Sequence, residues 1–79
     1  MIKELDCVVL KHDIENYYLK SGDIGTVVHC YTGGETFEVE FVTAEGKTLA
    51  VLTLTLSDIR LMNNKEIFHV RQVAEQTVC

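Results

Sequence analysis

The chain has 79 residues, of which 47% are apolar and 24% charged, and its formal net charge at pH 7 is −5. This length makes one domain with enough apolar material for a single compact core. The excess of 12 acidic over 7 basic residues opposes binding to nucleic-acid phosphates and to anionic membranes, because both depend on Lys and Arg. The same balance favours a basic protein as the partner.

The cysteines and the apolar segments indicate the cellular location of the protein. Cys7, Cys30 and Cys79 are odd in number, which excludes a complete framework of intramolecular disulfides. Residues 1–6 lack the basic segment and apolar run of a secretory signal. The longest apolar stretch, residues 49–56, is too short to cross a bilayer. We therefore expect free thiols, a cytoplasmic location and no attachment to a membrane.

The first predicted strand covers residues 5–11, which are mostly β-branched and apolar. Residues 12–21 then form a long polar connection, in which Tyr17 and Tyr18 precede Leu19. We expect these aromatic side chains either to contact a partner or to cover an open end of the core.

A glycine turn and a hairpin follow this connection. Gly22 and Asp23 turn the chain into a predicted second strand over residues 24–31. Gly25 within that strand predicts either a bulge or a close approach of another backbone. Residues 32–35 contain two adjacent glycines and predict the tight turn of a β-hairpin.

The third predicted strand, residues 36–42, has the clearest alternation in the chain. Its inward side chains are Phe37, Val39 and Phe41, and its outward side chains are Glu38 and Glu40. An acidic face of this kind is either a solvated strand surface or a docking patch for a basic protein.

Residues 43–46 predict a second hairpin turn, and residues 47–56 predict a fourth strand. One face of that strand carries Ala50, Leu52, Leu54 and Leu56, and the other carries Leu49 and Val51. Outward-facing Leu49 and Val51 need a cover. Either the C-terminal tail supplies it, or a second subunit does so as a homodimer across an exposed strand edge. Residues 59–62 predict a short closing strand.

The tail is compatible with two structures. Its apolar residues recur at helical spacing, and Asn63 precedes Glu66 by three positions, as in a capping box. Residues 67–71 are equally compatible with a sixth strand. We favour the helix, and we predict that residues 1–62 form a β-barrel against which the tail, residues 63–79, packs.

Several segments together resemble a known family. They are residues 5–10 (LDCVVL), 19–28 (LKSGDIGTVV), 37–42 (FEVEFV), 53–54 (TL), 58–60 (DIR) and 69–71 (HVR). The chain resembles the small bacterial proteins grouped as domain of unknown function 4926. The resemblance implies an all-β, SH3-like small barrel of about five antiparallel strands and no established activity. It also implies an antitoxin, immunity-type or accessory role, because some members are encoded beside suspected toxin–antitoxin genes.

No metal or cofactor is expected from the candidate ligands. These are Cys7, His12, His29, Cys30, His69 and Cys79. None of them forms the Cys-x-x-Cys or His-x-x-x-His spacing of a metal site. His29 and Cys30 are adjacent on a predicted strand, so their side chains point to opposite faces and cannot share an ion.

Enzymatic activity is not expected either. A nucleophile built from Cys30 and His12 or His69 lacks a third orienting group, and a barrel this small offers little depth for a substrate. Residues 22–28 are not a phosphate-binding loop, because they lack the Gly-Lys-Ser/Thr ending and lead into a strand.

The remaining hypotheses concern binding. We predict a non-catalytic interaction module that contacts a protein partner through Tyr17, Tyr18, Glu38 and Glu40. A nucleic-acid-binding small barrel is the alternative. The charge opposes it, since the exposed residues expected beside the glycine turn and on the third strand include Asp23, Glu35, Glu38 and Glu40.

Overall fold

The computed structural model describes residues 1–73 and contains five β-strands and one short 3₁₀ turn. The strands are β1 (Cys7–Leu10), β2 (Ile24–Cys30), β3 (Thr36–Val42), β4 (Thr48–Thr55) and β5 (Ile59–Leu61). The 3₁₀ turn, Glu15–Tyr17, lies in the long first connection. The prediction of an all-β fold with five antiparallel strands is confirmed.

All five strands belong to one antiparallel sheet with the order β4-β3-β2-β1-β5. Strands β1 to β4 follow one another as neighbours, and β5 returns to pair with β1. Within the described residues β4 and β5 do not pair with each other, so the sheet curls without closing. The fold is therefore a small, barrel-like β fold with two edges.

The core lies on the concave side of this sheet. It consists of Val8, Leu10, Leu19, Val27, Phe37, Val39, Phe41, Leu54 and Ile59. Phe37, Val39 and Phe41 of β3 are all buried, whereas Glu38 and Glu40 lie on the opposite side of the strand. The alternation in the third strand therefore predicted both faces correctly, because side chains alternate with a period of two.

Gly25 on β2 marks a close approach to β3. A Cβ atom there would lie 2.6 Å from Val39 Cγ1 and 2.8 Å from Phe41 Cε1. Of the two alternatives predicted for this glycine, the close approach is correct. The β2 bulge occurs further along, where Val27 pairs with Val39 and His29 with Glu38, so that Val28 is the extra residue.

A second bulge lies in β4, and it places one side chain, that of Leu49, on the face opposite to the predicted one. Phe41 pairs with Ala50 but Val42 pairs with Thr48, which leaves Leu49 as the extra residue. The extra residue changes the alternation, and Leu49 packs against the core instead of facing outward. Leu56, predicted to face inward with Leu54, lies in the turn after β4 and is about half exposed.

The helix favoured for the tail does not form in its described part. Residues 62–73 contain a turn at residues 64–65 and otherwise irregular backbone. The capping contacts do form: Glu66 Oε1 accepts a hydrogen bond from the Asn63 amide at 2.6 Å. Arg60 on β5 donates to both oxygens of the same carboxylate. This contact connects the turn to the sheet. The predicted tail beyond Val73, including Cys79, lies outside the described residues.

Candidate protein-binding surface

The outer face is the side of β2, β3 and β4 that points away from the core. Glu38 lies on it between His29 of β2 and Thr53 of β4. Glu40 lies one pair further along, between Thr26 and Val51. Both carboxylates therefore project from the central strand of a three-stranded surface, as the alternation in β3 predicts.

Neighbouring hydroxyl groups hold the Glu38 carboxylate in place. Its Oε2 atom accepts hydrogen bonds from Thr53 Oγ1 at 2.5 Å and from Tyr31 Oη at 2.7 Å. The bond from Thr53, followed by the bond from Tyr31, lowers the pKa of Glu38. His29 stacks edge-on against the Tyr31 ring, with centroids 4.7 Å apart. The sequence did not predict these contacts, because Tyr31 belongs to the turn after β2 and Thr53 to another strand.

Glu40 is held in a similar way. Its Oε2 atom accepts a hydrogen bond from Thr48 Oγ1 at 2.8 Å. In the part of the chain that the structure describes, no Lys or Arg nitrogen lies within 4.0 Å of the Glu38 or Glu40 carboxylate oxygens. Both carboxylates are thus oriented by hydroxyl donors and form no described ion pair with Lys or Arg, and the charge of His29 on the neighbouring strand also lowers the pKa of Glu38.

Apolar side chains surround the two carboxylates. Val28, Val42 and Val51 are each 41–50% exposed, and Tyr31 is 41% exposed. The outer face therefore combines oriented negative charges with valine and tyrosine surface. This mixture of an aromatic residue, small apolar residues and charges is suited to contact with another protein.

The two candidate tyrosines belong to a different region. Tyr17 and Tyr18 lie at the 3₁₀ turn and are 46% and 53% exposed. Leu19 of this connection is only 2% exposed and belongs to the core, and Ile14 packs against it. Because the connection leads into the start of β2, and Glu38 faces His29 near its end, the structure does not place all four candidate residues in one patch.

Asp23, predicted to be exposed, is instead part of an ion pair. Arg71 of the tail donates from Nε to Asp23 Oδ1 at 2.8 Å and from Nη2 to Oδ2 at 2.5 Å. The Asp23 side chain is 19% exposed. Its Oδ2 atom also accepts from the Lys20 amide at 2.9 Å, and Arg71 donates to the Tyr18 carbonyl. This Asp23–Arg71 clasp joins the tail to the turn before β2.

The clasp makes stability depend on pH. Burial alone raises the pKa of Asp23, but hydrogen bonds from Arg71 and from the Lys20 amide outweigh it and hold the pKa below its ordinary value. A carboxyl group whose pKa is lower in the folded than in the unfolded state stabilises the fold. Its contribution is complete at pH values above its unfolded pKa, about 3.9. That contribution is lost as the pH falls through the folded pKa.

We therefore expect Asp23→Asn to reduce the acid sensitivity of the fold. Between about pH 5 and about pH 3, the wild-type protein should lose more unfolding free energy than the variant, as measured by urea denaturation. Glu45→Gln is the control, since no side-chain hydrogen bond of Glu45 is present in residues 1–73. Parallel pH curves for wild type and Asp23→Asn would contradict a stabilising role for this ion pair.

The candidate metal ligands are separated by the fold. His12 binds Asp58 at 2.8 Å, which raises the pKa of His12, and His29 lies 3.8 Å from Glu4. Cys30 packs against the core. No group of three His, Cys, Asp or Glu side chains suited to a metal ion occurs among residues 1–73.

One open groove lies between the tail and the turn that joins β3 to β4. Its volume is about 610 Å³, and its lining includes Leu19, Phe41, His69 and Arg71. Neither Cys7 nor Cys30 reaches it. The groove therefore does not join His69 to a described thiol.

The fold and the outer face define a small, open-sheet β domain. A family model described as Domain of unknown function (DUF4926) matches residues 4–61, which include all five strands. The chain belongs to this family. Neither the curated proteins nor the solved structures gave a match. Within residues 1–73 no helix has the length and apolarity needed to span a bilayer.

Proposed function

We propose that this protein is a non-catalytic, SH3-like interaction module that binds a basic protein partner in the bacterial cytoplasm. The observation that carries the proposal is the pair of carboxylates on β3, Glu38 and Glu40. They are oriented by hydroxyl groups and have no described basic side chain within 4.0 Å. An antitoxin, immunity-type or accessory subunit is one concrete form of this function.

Fixing the carboxylates before binding would lower the entropic cost of recognition. A partner Lys or Arg meets an acceptor that already has its orientation, so fewer rotatable bonds are immobilised on association. The negative charge also attracts a basic partner at a distance and increases the association rate more than the final affinity. Val51 and Val42 supply the apolar contact area beside the charges.

Tyr17 and Tyr18 are proposed as a second, separate contact. Both rings are about half exposed, whereas the adjacent Leu19 is buried in the core. Tyrosine combines a large rigid surface with a hydroxyl group and is common in protein interfaces. A partner that engages both regions would wrap around the end of the sheet where β2 begins.

We expect Glu38→Gln together with Glu40→Gln to weaken partner binding about tenfold while leaving the fold intact. Glutamine keeps an oxygen acceptor for Thr53, Tyr31 and Thr48 and removes only the charge. The measurement is capture of proteins from the native cell extract on immobilised variants, followed by titration of the enriched protein at two salt concentrations.

Glu35→Gln with Glu45→Gln is the matched control, because it changes the net charge equally at two exposed residues in the turns on either side of β3, away from Tyr17 and Tyr18. The control should bind as the wild type does. Equal affinity of the Glu38/Glu40 variant and this control would refute the role of the outer face. Strong, salt-sensitive retention of the wild type on heparin or RNA would instead favour the nucleic-acid-binding alternative.

A further inference from the structure

Residues 67–73, here named the strap, lie against the turn before β2 without joining the sheet. Ile67 and Val70 are 89% and 88% exposed, and none of the core residues comes from the strap. No backbone hydrogen bond connects the strap to the rest of residues 1–73. Apolar burial and backbone pairing are what usually give a segment the stability of the whole domain. The strap contributes to neither the core nor the sheet.

One side chain holds the strap in place. Arg71 donates to both carboxylate oxygens of Asp23 and to the carbonyl oxygen of Tyr18. Among residues 1–73 these are the hydrogen bonds that the strap forms with the remainder of the protein. The Arg71 side chain is 25% exposed, although the preceding Val70 is almost entirely in solvent. The strap is therefore attached at a single point.

The acceptors for Arg71 are fixed by the folded domain and not by the strap. Asp23 Oδ2 also accepts a hydrogen bond from the Lys20 amide, and the Asp23 carbonyl accepts one from the amide of Leu10 on β1. Tyr18 has a left-handed backbone conformation, with φ 59°, at the end of the 3₁₀ turn. These features do not involve the strap, so the acceptor atoms stay in place when Arg71 leaves.

The strap also has a fixed base. The turn before it is connected to β5, because Arg60 binds both oxygens of the Glu66 carboxylate. Residues 67–70 lie between this base and Arg71 and form no hydrogen bond with any described residue. A few unpaired residues of this kind can absorb the backbone rotation of a hinge.

The folded sheet is separate from the strap in the chain. All five strands lie within residues 4–61, the segment that the family model matches, and the strap follows that segment. The strap instead forms one wall of the open groove, through residues 69–73, and the turn between β3 and β4 forms the other. Release of the strap would therefore remove a wall of the groove and leave the sheet intact.

We propose that the strap is a conformational switch, which opens and closes as a unit on the Asp23–Arg71 clasp while the five strands stay folded. In the closed state it completes the groove and covers most of the Asp23 carboxylate. In the open state the Asp23 carboxylate and the Tyr18 carbonyl face solvent beside the exposed rings of Tyr17 and Tyr18. The strap thus controls how much negative charge this region presents. The switch operates in the free chain, so its test needs no partner.

The test is NMR relaxation of the backbone amides in the full chain at neutral pH. In the wild type, the amides of residues 68–72 should be ordered, with order parameters above about 0.6, the value below which a backbone is flexible. Arg71→Gln should lower these order parameters below about 0.6 and leave those of β1 to β5 near the rigid value of about 0.85. The strand amides therefore verify that the variant is folded.

Lys65→Gln is the matched control. It removes one positive charge just before the strap, and only the backbone amide of Lys65 forms a described hydrogen bond. The control should keep the strap ordered, whereas Asp23→Asn weakens the clasp from its other side and should release the strap. A wild-type strap that is already flexible or an Arg71→Gln strap that stays ordered would overturn the proposal. Release by Lys65→Gln, no release by Asp23→Asn, or strands that lose order together with the strap would do so as well.

Discussion

Phe41→Ala is expected to lower the free energy of unfolding by about 3–5 kcal/mol, the usual cost of deleting a buried phenylalanine ring. Phe41 lies on the inner face of β3 and is 2% exposed. At about 0.05–0.15 kcal/mol per residue, a chain of this length has only about 4–12 kcal/mol in total. The variant should therefore be partly or wholly unfolded at 37 °C, as measured by urea and thermal denaturation.

Val42→Ala provides the comparison for this experiment. Val42 is the next residue on the same strand, but its side chain is half exposed on the outer face. We expect its loss to change stability by no more than about 0.5 kcal/mol. Equal effects of the two substitutions would mean that the Phe41 ring does not lie in the core.

Gly25→Ala is expected to cost about 1–3 kcal/mol for a steric reason. The backbone of Gly25 does not have a positive φ angle, so alanine fits its conformation. The added Cβ atom, however, meets Val39 Cγ1 and Phe41 Cε1 at less than 3.0 Å and the Glu40 carbonyl oxygen at 3.1 Å. Chemical denaturation of the variant measures the cost directly.

A double-mutant cycle separates this steric effect from a conformational one. In a Val39→Ala background the nearest clashing atom, Val39 Cγ1, is absent, so Gly25→Ala should cost at least about 0.5 kcal/mol less than it does in the wild type. Gly22→Ala is the control, because Gly22 has φ +97° and an alanine methyl group there would have no neighbouring atom within 4 Å. Its cost is conformational and should be the same in both backgrounds. Additive costs for Gly25→Ala would contradict the close approach of β2 and β3.

These core substitutions and the Glu38 and Glu40 substitutions act on different sides of the same sheet. Phe41 and Gly25 lie where β2 and β3 approach each other on the core side, whereas Glu38 and Glu40 lie on the outer face. A variant that loses stability and a variant that loses partner binding are therefore distinguishable by melting and by titration of the partner. The Glu38 and Glu40 substitutions leave stability intact if the outer face serves only to bind a partner.

The sequence by itself determined the strands and the two faces of β3. Alternation between Phe37, Val39, Phe41 and the two glutamates is a local pattern, and it places side chains correctly because a strand has a fixed period of two. Gly25 likewise predicted either a bulge or a close approach of another backbone, and the sequence did not distinguish between the two. The family resemblance over the glycine turn and β3 is confirmed by the match to residues 4–61.

Only the tertiary structure decided the contacts between distant residues. Arg71 binds Asp23 across 48 positions of the chain, and no local pattern encodes such a pair. The bulge at Leu49 depends on how β4 pairs with β3, so alternation within β4 alone assigned that side chain to the wrong face. The capping pattern at Asn63 formed a turn without a helix, and Glu66 of this turn binds Arg60 of β5. Periodicity records which side of its own strand a residue occupies, whereas pairing and ion contacts depend on which other strands the fold brings beside it.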